Sequence, residues 1–361
     1  MSLNVGVVGL PNTGKSTLFN AITHAHAPTG THAFSTTDRN IASVNVPDER
    51  LDALAQMCNP KKITPTTVEF VDIAGIVRGA SQGAGLGNKF LGHLRQSDVL
   101  AEIVRCFDDP NVPFPEDTID PVRDMETVKL ELILADLAVV ERRLERTRSA
   151  AKGGDKKHLA ELQVLEKLVQ QFNSGMALRD MRLNEEELAG LREIDLLTAK
   201  PVFYIANLNE GAGEDDPRLA AMRAAAGNAT VISVSAKIEA ELSEMEPEEA
   251  AVFAKELGIA DSRLAQSIQT GYGLLDLITF FTAGEPEVRA WTVRAGAKAP
   301  EAAGKIHSDI ERGFIRAEVT PFPDLIAAGS FAAAKAKGVL RLEGKEYVVQ
   351  DGDVVYFRFS V

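Results

Sequence analysis

The residues that most constrain this chain lie near its start, where an apolar run is followed at once by a phosphate-binding pattern. Residues 9–16 read Gly-Leu-Pro-Asn-Thr-Gly-Lys-Ser and fit G-x-x-x-x-G-K-[ST], directly behind the apolar residues 5–8. A buried strand that delivers such a loop lets successive backbone N–H groups surround a β-phosphate, and the following helix adds the positive end of its dipole. The sequence therefore predicts a nucleoside triphosphate site, with Lys15 on the β/γ-phosphate oxygens and the Ser16 hydroxyl on Mg²⁺.

Length and charge narrow the class of protein. The 361 residues are 45% hydrophobic, enough for two or three domains with cores of their own. A formal charge of −13 argues against a surface that binds nucleic acid everywhere, although local basic patches are allowed. Cys58 and Cys106 show neither C-x-x-C nor zinc spacing, and no apolar stretch approaches the ~20 residues of a membrane span. We expect a cytoplasmic protein with core thiols and no membrane partner.

A second motif follows the predicted strand over residues 67–71, within an α/β pattern that covers residues 1–120. Asp72 and Gly75 form D-x-x-G at the spacing of a switch protein. We expect Asp72 to support Mg²⁺ and Gly75 to donate its N–H to the γ-phosphate, so that loss of this phosphate releases the glycine-rich loop that follows. Ile76 stands where Ras-like enzymes use a glutamine to orient water, so hydrolysis is expected to be slow or to use another group.

The first switch of such a protein would lie in the polar segment 32–38, where one threonine would complete the Mg²⁺ shell. This segment also fits an ordinary Ser/Thr-rich loop, and both readings stay open.

The base-recognition motif of GTPases, N-K-x-D, is altered in this chain. After a predicted strand over residues 201–206, the sequence reads Asn207-Leu208-Asn209-Glu210. The guanine-specific aspartate accepts two N–H donors, whereas adenine offers one donor beside an acceptor that repels a carboxylate. Leucine and a longer acid at these positions weaken the case for a guanine clamp. We expect Asn207 to bind the purine N7 and amino group through its amide, Leu208 to contact the ring, and Ser235 to lie in the last base-contacting loop.

Between the second switch and the base motif lies an insertion, residues 121–197, with leucines at helical spacing. The pattern breaks at residues 152–155 and resumes, which predicts two antiparallel helices. Around the break, residues 141–157 hold seven basic and three acidic side chains. Either a phosphate-rich partner binds there or the residues form a solvated helical face.

The last segment, residues 281–361, has the pattern of a small mixed α+β domain without clustered catalytic residues, and binding is its expected role. The predicted strands cover residues 314–319, 339–342, 346–349 and 354–359, and a helix is predicted over 330–337.

Taken together, the segments resemble the YchF family of Obg-like ATPases, in the TRAFAC class of P-loop proteins, over essentially the whole chain. The resemblance rests on residues 9–17, 45–51, 70–75, 85–91, 207–210 and 342–353. It implies an ATP-preferring G domain in residues 1–120 and 198–280, a helical coiled coil in 121–197, and a C-terminal TGS domain of β-grasp type in 281–361. It also implies a slow, Mg²⁺-dependent ATPase that binds the ribosome, as 50S or 70S, and its rRNA, and that modulates translation or a stress response; we expect a monomer.

The resemblance also assigns site residues. Its motif implies Ser16 and Thr36 as Mg²⁺ ligands, Leu208 on the adenine, and the phosphates held by Asn12, Thr13, Gly14, Lys15, Ser16 and Thr17. Phe114 stands where many members carry a histidine that is proposed to aid hydrolysis, and the first switch lacks the family's usual proline. The hydrolytic group is thus unassigned, and one hypothesis is that Asn12 recruits K⁺ for part of this role.

Two alternatives to the ATPase switch remain at this stage. One is a GTPase of the same architecture. The other is a scaffold that binds the ribosome or RNA and uses nucleotide only structurally.

Overall fold

A computed structural model describes residues 3–26, 40–73, 79, 86–114, 116, 118–191, 193–257 and 263–360. The chain divides into two compact units, residues 1–43 with 69–267 and residues 44–68 with 268–361. Within the described residues, no helix is both long enough and apolar enough to cross a bilayer.

The first part of the chain alternates strands and helices. Its elements are β1 (Leu3–Val8), α1 (Lys15–His26), β2 (Asn40–Asn45), α2 (Glu49–Cys58), β3 (Ile63–Thr64), β4 (Thr67–Asp72), α3 (Leu86–Arg95), β5 (Val99–Cys106), α4 (Pro121–Ala151), α5 (Lys156–Asn173), α6 (Glu185–Leu191), β6 (Val202–Leu208), α7 (Pro217–Ala226), β7 (Val231–Val234), α8 (Ala236–Glu244), α9 (Pro247–Glu256) and α10 (Arg263–Gly273). Two short 3₁₀ turns, Leu178–Asp180 and Leu197–Ala199, precede α6 and β6.

The remaining elements form a mixed α+β segment. They are β8 (Leu277–Ala283), β9 (Val288–Arg294), α11 (Ala299–Ile306), α12 (Ser308–Arg312), β10 (Phe314–Pro321), α13 (Phe322–Ala328), α14 (Phe331–Ala336), β11 (Arg341–Glu343) and β12 (Asp353–Phe359).

The sheet of the first unit has the strand order β2-β4-β1-β5-β6-β7. Strands β1, β5, β6 and β7 run parallel, and the order spreads from β1 in both directions, which confirms the predicted doubly wound α/β fold. Every residue of β5 and β6 is buried, as expected of central parallel strands. Ligands of such sheets bind at the carboxyl ends of the strands, where the strand order reverses; here that point lies between β1 and β5.

The predicted helical hairpin is confirmed as α4 and α5. Asp120 caps the amino end of α4 with Pro121 in the first turn, and Asp155 caps α5. The glycines at 153 and 154 separate the two helices, whose apolar faces share a buried core: Ile133, Val140, Leu144, Leu165, Leu168 and Phe172. Coiled-coil geometry for this hairpin stays a prediction.

A buried carboxylate ties the hairpin to the base-motif strand. Asp136 of α4 is wholly buried and accepts hydrogen bonds from the backbone N–H of Leu197 (2.9 Å) and Thr198 (2.7 Å), just before β6. Arg95, at the end of α3, donates to the same carboxylate at 3.3 Å. A buried acid is retained only when such partners satisfy it; even so, burial raises the pKa of Asp136, against the opposing effect of its hydrogen bonds.

The second unit is built on a sheet with the order β11-β10-β12-β8-β9-β3. Residues 44–68 belong here because Leu51 and Leu54 of α2 pack with Phe281 and Leu325. The predicted strand at 346–349 is wrong: this stretch forms only an isolated bridge from Val348 to Lys298, since the chain turns back there rather than extending along the sheet. The three predicted domain boundaries and the TGS assignment stay predictions.

Candidate nucleotide-binding site

The loop between β1 and α1 owes its shape to close backbone approaches. Gly14 has φ +88°, and a Cβ atom there would lie 2.2 Å from Nδ2 of Asn207. At Gly9, a Cβ would lie 2.5 Å from the carbonyl oxygen of Ile103 in β5. Only glycine fits either place, which explains the spacing of the two glycines in the motif.

Lys15 and Asp72 form an ion pair across the loop, and each side chain is about 10% exposed. Lys15 opens α1, and Asp72 ends β4 at the same edge of the sheet. The ammonium therefore already lies beside a carboxylate that a triphosphate's charge would replace. The pair also fixes the position of Asp72 at the floor of the site.

These residues line a cleft of about 850 Å³, within the size range of ligand sites. The loop residues Asn12, Gly14, Lys15, Ser16 and Thr17 form one side of it, together with Asp72. The other lining residues end β6 or follow β5, β6 and β7; they include Phe107, Asp108, Asp109, Val112, Asn207, Leu208, Asn209, Glu210, Ser235, Ala236 and Lys237.

Asn207 joins two walls of this cleft. Its Nδ2 donates to the carbonyl oxygen of Thr13 at 2.9 Å, and its Oδ1 accepts from the backbone N–H of Ala236 at 2.9 Å. The residue is 4% exposed. Its amide is therefore largely used to hold the phosphate loop against the start of α8, and one N–H of Nδ2 remains for a ligand.

The loop after β5 forms the opposite wall, and two side chains hold it. Asn209 accepts from the backbone N–H of Asp108 (2.9 Å) and donates to its carbonyl oxygen (3.0 Å). Arg105 is 2% exposed and donates to the carbonyl oxygens of Phe107 (3.2 Å), Asp109 (3.3 Å) and Val112 (3.1 Å). Burial lowers the pKa of Arg105, while Asp108 and Asp109 oppose that shift.

Phe114 also helps to hold the loop after β5. Its ring lies 5.0 Å from the Arg105 guanidinium carbon and packs against the core of the first unit. Asn12 contacts the same loop, since its Nδ2 donates to the carbonyl oxygen of Pro113 at 2.9 Å. The phosphate loop and the β5 loop are thus directly connected.

Glu210 and Lys237 form an ion pair at the mouth of the cleft, and this hydrogen bond raises the pKa of Lys237. Leu208, which ends β6, is 5% exposed and its side chain belongs to the buried core. Leu208 can therefore meet a purine mainly through its backbone. Glu210 is engaged by Lys237 in a solvent-exposed pair of small energy, and a guanine would have to draw it away to use it as a bidentate acceptor.

Most predicted site residues come together in this cleft, namely Asn12, Gly14, Lys15, Ser16, Thr17, Asp72, Asn207, Leu208 and Ser235. Thr13 lies beneath it: its side chain is 1% exposed and donates to the carbonyl oxygen of Leu10 at 3.1 Å. The predicted residues Thr36 and Gly75, and Ile76, lie outside the described residues. Arg105 and Asn209 belong to the site without a predicted role, although a polar residue inside or directly after a buried strand is a signal for both.

The oxygen donors present suit Mg²⁺. Ser16 is exposed at the start of α1 and Asp72 faces the same cleft, so a hydroxyl and a carboxylate are available beside the expected phosphate oxygens. Among the described residues there is no group of three or more His, Cys, Asp or Glu side chains that would hold a metal without a ligand's help. This donor set fits an ion that keeps waters and is shared with phosphates.

Two family models match the chain. Residues 4–137 match a family described as "50S ribosome-binding GTPase", and residues 277–360 match the YchF-GTPase C-terminal family, described as a protein of unknown function. The two matches fall on the two ends of the chain, one over the phosphate loop and one over the C-terminal sheet.

Similar proteins cover the full length. The "Ribosome-binding ATPase YchF" of Bacillus subtilis is 52% identical, with 100% of both chains covered. "Obg-like ATPase 1" of Oryza sativa is 43% identical over 99% of this chain and 92% of its own. A solved structure titled "Structure of the Schizosaccharomyces pombe YchF GTPase" has a TM-score of 0.88 at 36% identity, covering 99% of this chain and 98% of that one. On this identity, coverage and fold, the chain belongs to the YchF family.

Proposed function

We propose that this protein is a slow, Mg²⁺-dependent ATPase that associates with the ribosome and acts as a nucleotide-controlled switch in translation or a stress response. The observation that carries the nucleotide part is the cleft, where a phosphate loop, Asp72 and the altered base motif meet. The ribosome part, and with it a cytoplasmic location, is supported by the names of relatives such as the Bacillus subtilis protein.

In this proposal the chain's own residues bind and orient the substrate. Backbone N–H groups of the loop and the ammonium of Lys15 hold the phosphates, and Ser16 and Asp72, with Thr36, supply oxygens for Mg²⁺, which when bound neutralises developing charge. Gly75 offers its backbone N–H to the γ-phosphate. Lys15 pairs with Asp72, and an ammonium has three donors, so Lys15 can turn one or more of them toward the phosphates.

The engaged acceptors of the base wall support a preference for adenine. Glu210 is paired with Lys237 and Asn207 is bonded on both sides, which leaves an N–H donor and backbone groups to face the base. Such a wall suits the acceptor nitrogens of adenine better than the paired donors of guanine. GTP is the second candidate, because one matching family and one similar structure are described as GTPases.

The basic tip of the hairpin is the surface we propose for rRNA, and we define it as Arg146, Lys152, Lys156 and Lys157. All four are exposed and have no ion pair within the described chain, whereas Arg143 and Arg148 pair with Glu161 and Glu166 of α5. Phosphate contacts by such side chains weaken steeply as salt rises.

The test is ribosome co-sedimentation with Mg²⁺ and either ATP or ADP. Wild-type protein should bind 70S or 50S particles with an affinity that depends on the nucleotide. Lys15→Ala should remove that dependence, and Lys255→Ala, on the exposed face of α9, should keep it. Nucleotide-independent binding by the wild type would support a scaffold instead. An intact dependence in Lys15→Ala would contradict the proposed role of Lys15 in the switch.

The potassium hypothesis is tested separately. If Asn12 recruits K⁺, hydrolysis should be faster in K⁺ than in Na⁺ at equal ionic strength. Equal turnover in the two salts refutes it.

A further inference from the structure

The long helix α4 contacts the stretch from Gly79 to Arg95, which follows the D-x-x-G motif, at two places. The backbone N–H of Gly79, seven residues after Asp72, donates to Oε1 of Glu131 at 2.7 Å. Glu131 lies in α4 and is 5% exposed. A charged acceptor inside a packed interface gives a short, directional contact to the loop backbone.

The other contact comes where α3 ends. Arg95 donates to Oδ1 of Asp136 (3.3 Å) and to the carbonyl oxygen of Ala135 (3.4 Å), and it also bonds the carbonyl oxygen of Asp195. Gly79 precedes α3 and Arg95 ends it, while Glu131 and Asp136 lie little more than one helical turn apart. Both ends of the stretch from Gly79 to Arg95 are therefore bonded to one short section of α4.

The same section of α4 is attached to the base side of the cleft. Asp136 accepts from Leu197 and Thr198, directly before β6, which carries Asn207. α4 thus contacts one segment that follows Asp72, the carboxylate proposed to support Mg²⁺, and another segment that precedes the base motif's strand. Packed elements of this kind shift between discrete arrangements rather than bend continuously.

We propose that Glu131 couples the nucleotide state of the cleft to the orientation of the α4–α5 hairpin, with α4 as a lever. This inference rests on the proposed function and deepens it, since the proposed rRNA surface is at the far end of the lever. From Glu131 to Ala151 the helix rises about 30 Å. A rotation of about 10° at the Glu131 end, well within known hinge motions, moves the tip by about 5 Å.

The coupling between the cleft and the hairpin must also act in the reverse direction, from a partner of the hairpin to the nucleotide. If the nucleotide shifts the hairpin, a partner that holds the hairpin in one position must change nucleotide affinity by the same factor. Glu131 is a positioning residue here, because it acts through the loop backbone and does not touch the nucleotide.

The experiment measures the tip position directly by pulsed electron spin resonance. Nitroxides are placed at Lys152→Cys and Asn228→Cys, both exposed, in a Cys58→Ser background; Cys106 is buried. The distance is recorded with Mg²⁺ and saturating ADP or a non-hydrolysable ATP analogue. The labelled protein with native Glu131 should show a shift of about 5 Å between the two nucleotides.

Three variants in this labelled protein isolate the hydrogen bond. Glu131→Ala should lose the shift. Glu131→Gln should keep it, because the amide oxygen still accepts from Gly79. Glu126→Ala, an exposed glutamate of the same helix, should keep it as the matched control.

The outcomes separate this inference from the proposed function. Binding of both nucleotides without a shift, a shift that survives in Glu131→Ala, or its loss in Glu131→Gln overturns the coupling through Glu131 alone. Failure of either nucleotide to bind the labelled protein, measured by titration of the same sample, overturns the coupling and the proposed function together.

Discussion

At the scale of single residues, Gly14 is a position of the cleft that leaves no room for a side chain. Its φ of +88° is unfavourable for a side chain, and Nδ2 of Asn207 occupies the space where a Cβ would lie. The same Asn207 holds Thr13 and Ala236, so a displaced amide would release two walls of the site together.

We therefore predict that Gly14→Ala lowers nucleotide affinity by at least about 100-fold and the free energy of unfolding by about 1–3 kcal/mol. Gly92→Ala is the control: Gly92 lies within α3 with open space around its Cβ position, so the change should be neutral or stabilise by up to about 1 kcal/mol. For each variant, titration calorimetry measures the nucleotide affinity and urea unfolding measures the free energy of unfolding. Normal nucleotide affinity in Gly14→Ala would contradict this reading of the loop.

Glu102 is a second residue whose environment leads to a measurable effect. It lies in the central strand β5 and is 3% exposed, and its Oε1 has no hydrogen-bond partner among the described residues. Burial raises its pKa to about 8; Arg179 opposes this shift and Asp124 adds to it. The folded protein therefore holds this proton at neutral pH, whereas the unfolded chain releases it above the ordinary pKa of a glutamate near 4.5.

The direction in which stability changes with pH follows from the protons that the folded and unfolded states bind. Because the folded state binds the extra proton, Glu102 makes stability fall as pH rises from about 5 to 8, by at most about 1.4 kcal/mol per pH unit. We predict that Glu102→Gln removes this slope, so that the variant gains stability over wild type progressively from pH 5 to pH 8. Urea unfolding of both proteins at several pH values measures the difference in their free energies of unfolding. If this difference does not change with pH, Glu102 does not titrate in this range.

At the scale of elements, the loop after β5 is the part of the site that the sequence left unassigned. The parallel strands, the phosphate loop and the hairpin could be predicted because each rests on local patterns: glycine spacing, apolar runs, and leucines broken at residues 152–155. Arg105 donates to three carbonyl oxygens of its own loop, and Asn209 bonds Asp108 across two segments that are far apart in sequence. A polar residue in or directly after a buried strand indicates that it has a partner but does not identify that partner. The wrong strand at 346–349 has a related cause, since its β-branched residues fit a strand while the chain turns.

We predict that Asn209→Ala weakens ATP binding about tenfold by freeing Asp108 and the β5 loop from β6. Asn111→Ala is the matched control, because Asn111 lies exposed in the same loop and its side chain makes no hydrogen bond within the described chain. The two variants are compared by ATP titration and by hydrogen exchange of the backbone N–H of Asp108. Equal affinities would mean that Asn209 does not shape the cleft.

At the scale of the whole molecule, the first unit could be predicted from the sequence more fully than the second. In the first unit, the sequence motifs follow strands whose carboxyl ends lie at the same edge of one sheet, so a nucleotide site could be predicted from the sequence. In the second, residues 44–68 join residues 268–361 through α2, because Leu51 and Leu54 pack against Phe281, and Arg50 bonds Asp351 at 2.6 Å. Nothing local to residues 44–68 indicates that partner.

The central claim is that a purine triphosphate binds this cleft with adenine preferred over guanine. Titration calorimetry with ATP and with GTP, each with Mg²⁺, tests it on the full chain. The occupied acceptors of Glu210 and Asn207 predict that ATP binds at least about tenfold more tightly than GTP, a difference of about 1.4 kcal/mol. Equal affinities, or tighter binding of GTP, would contradict the account.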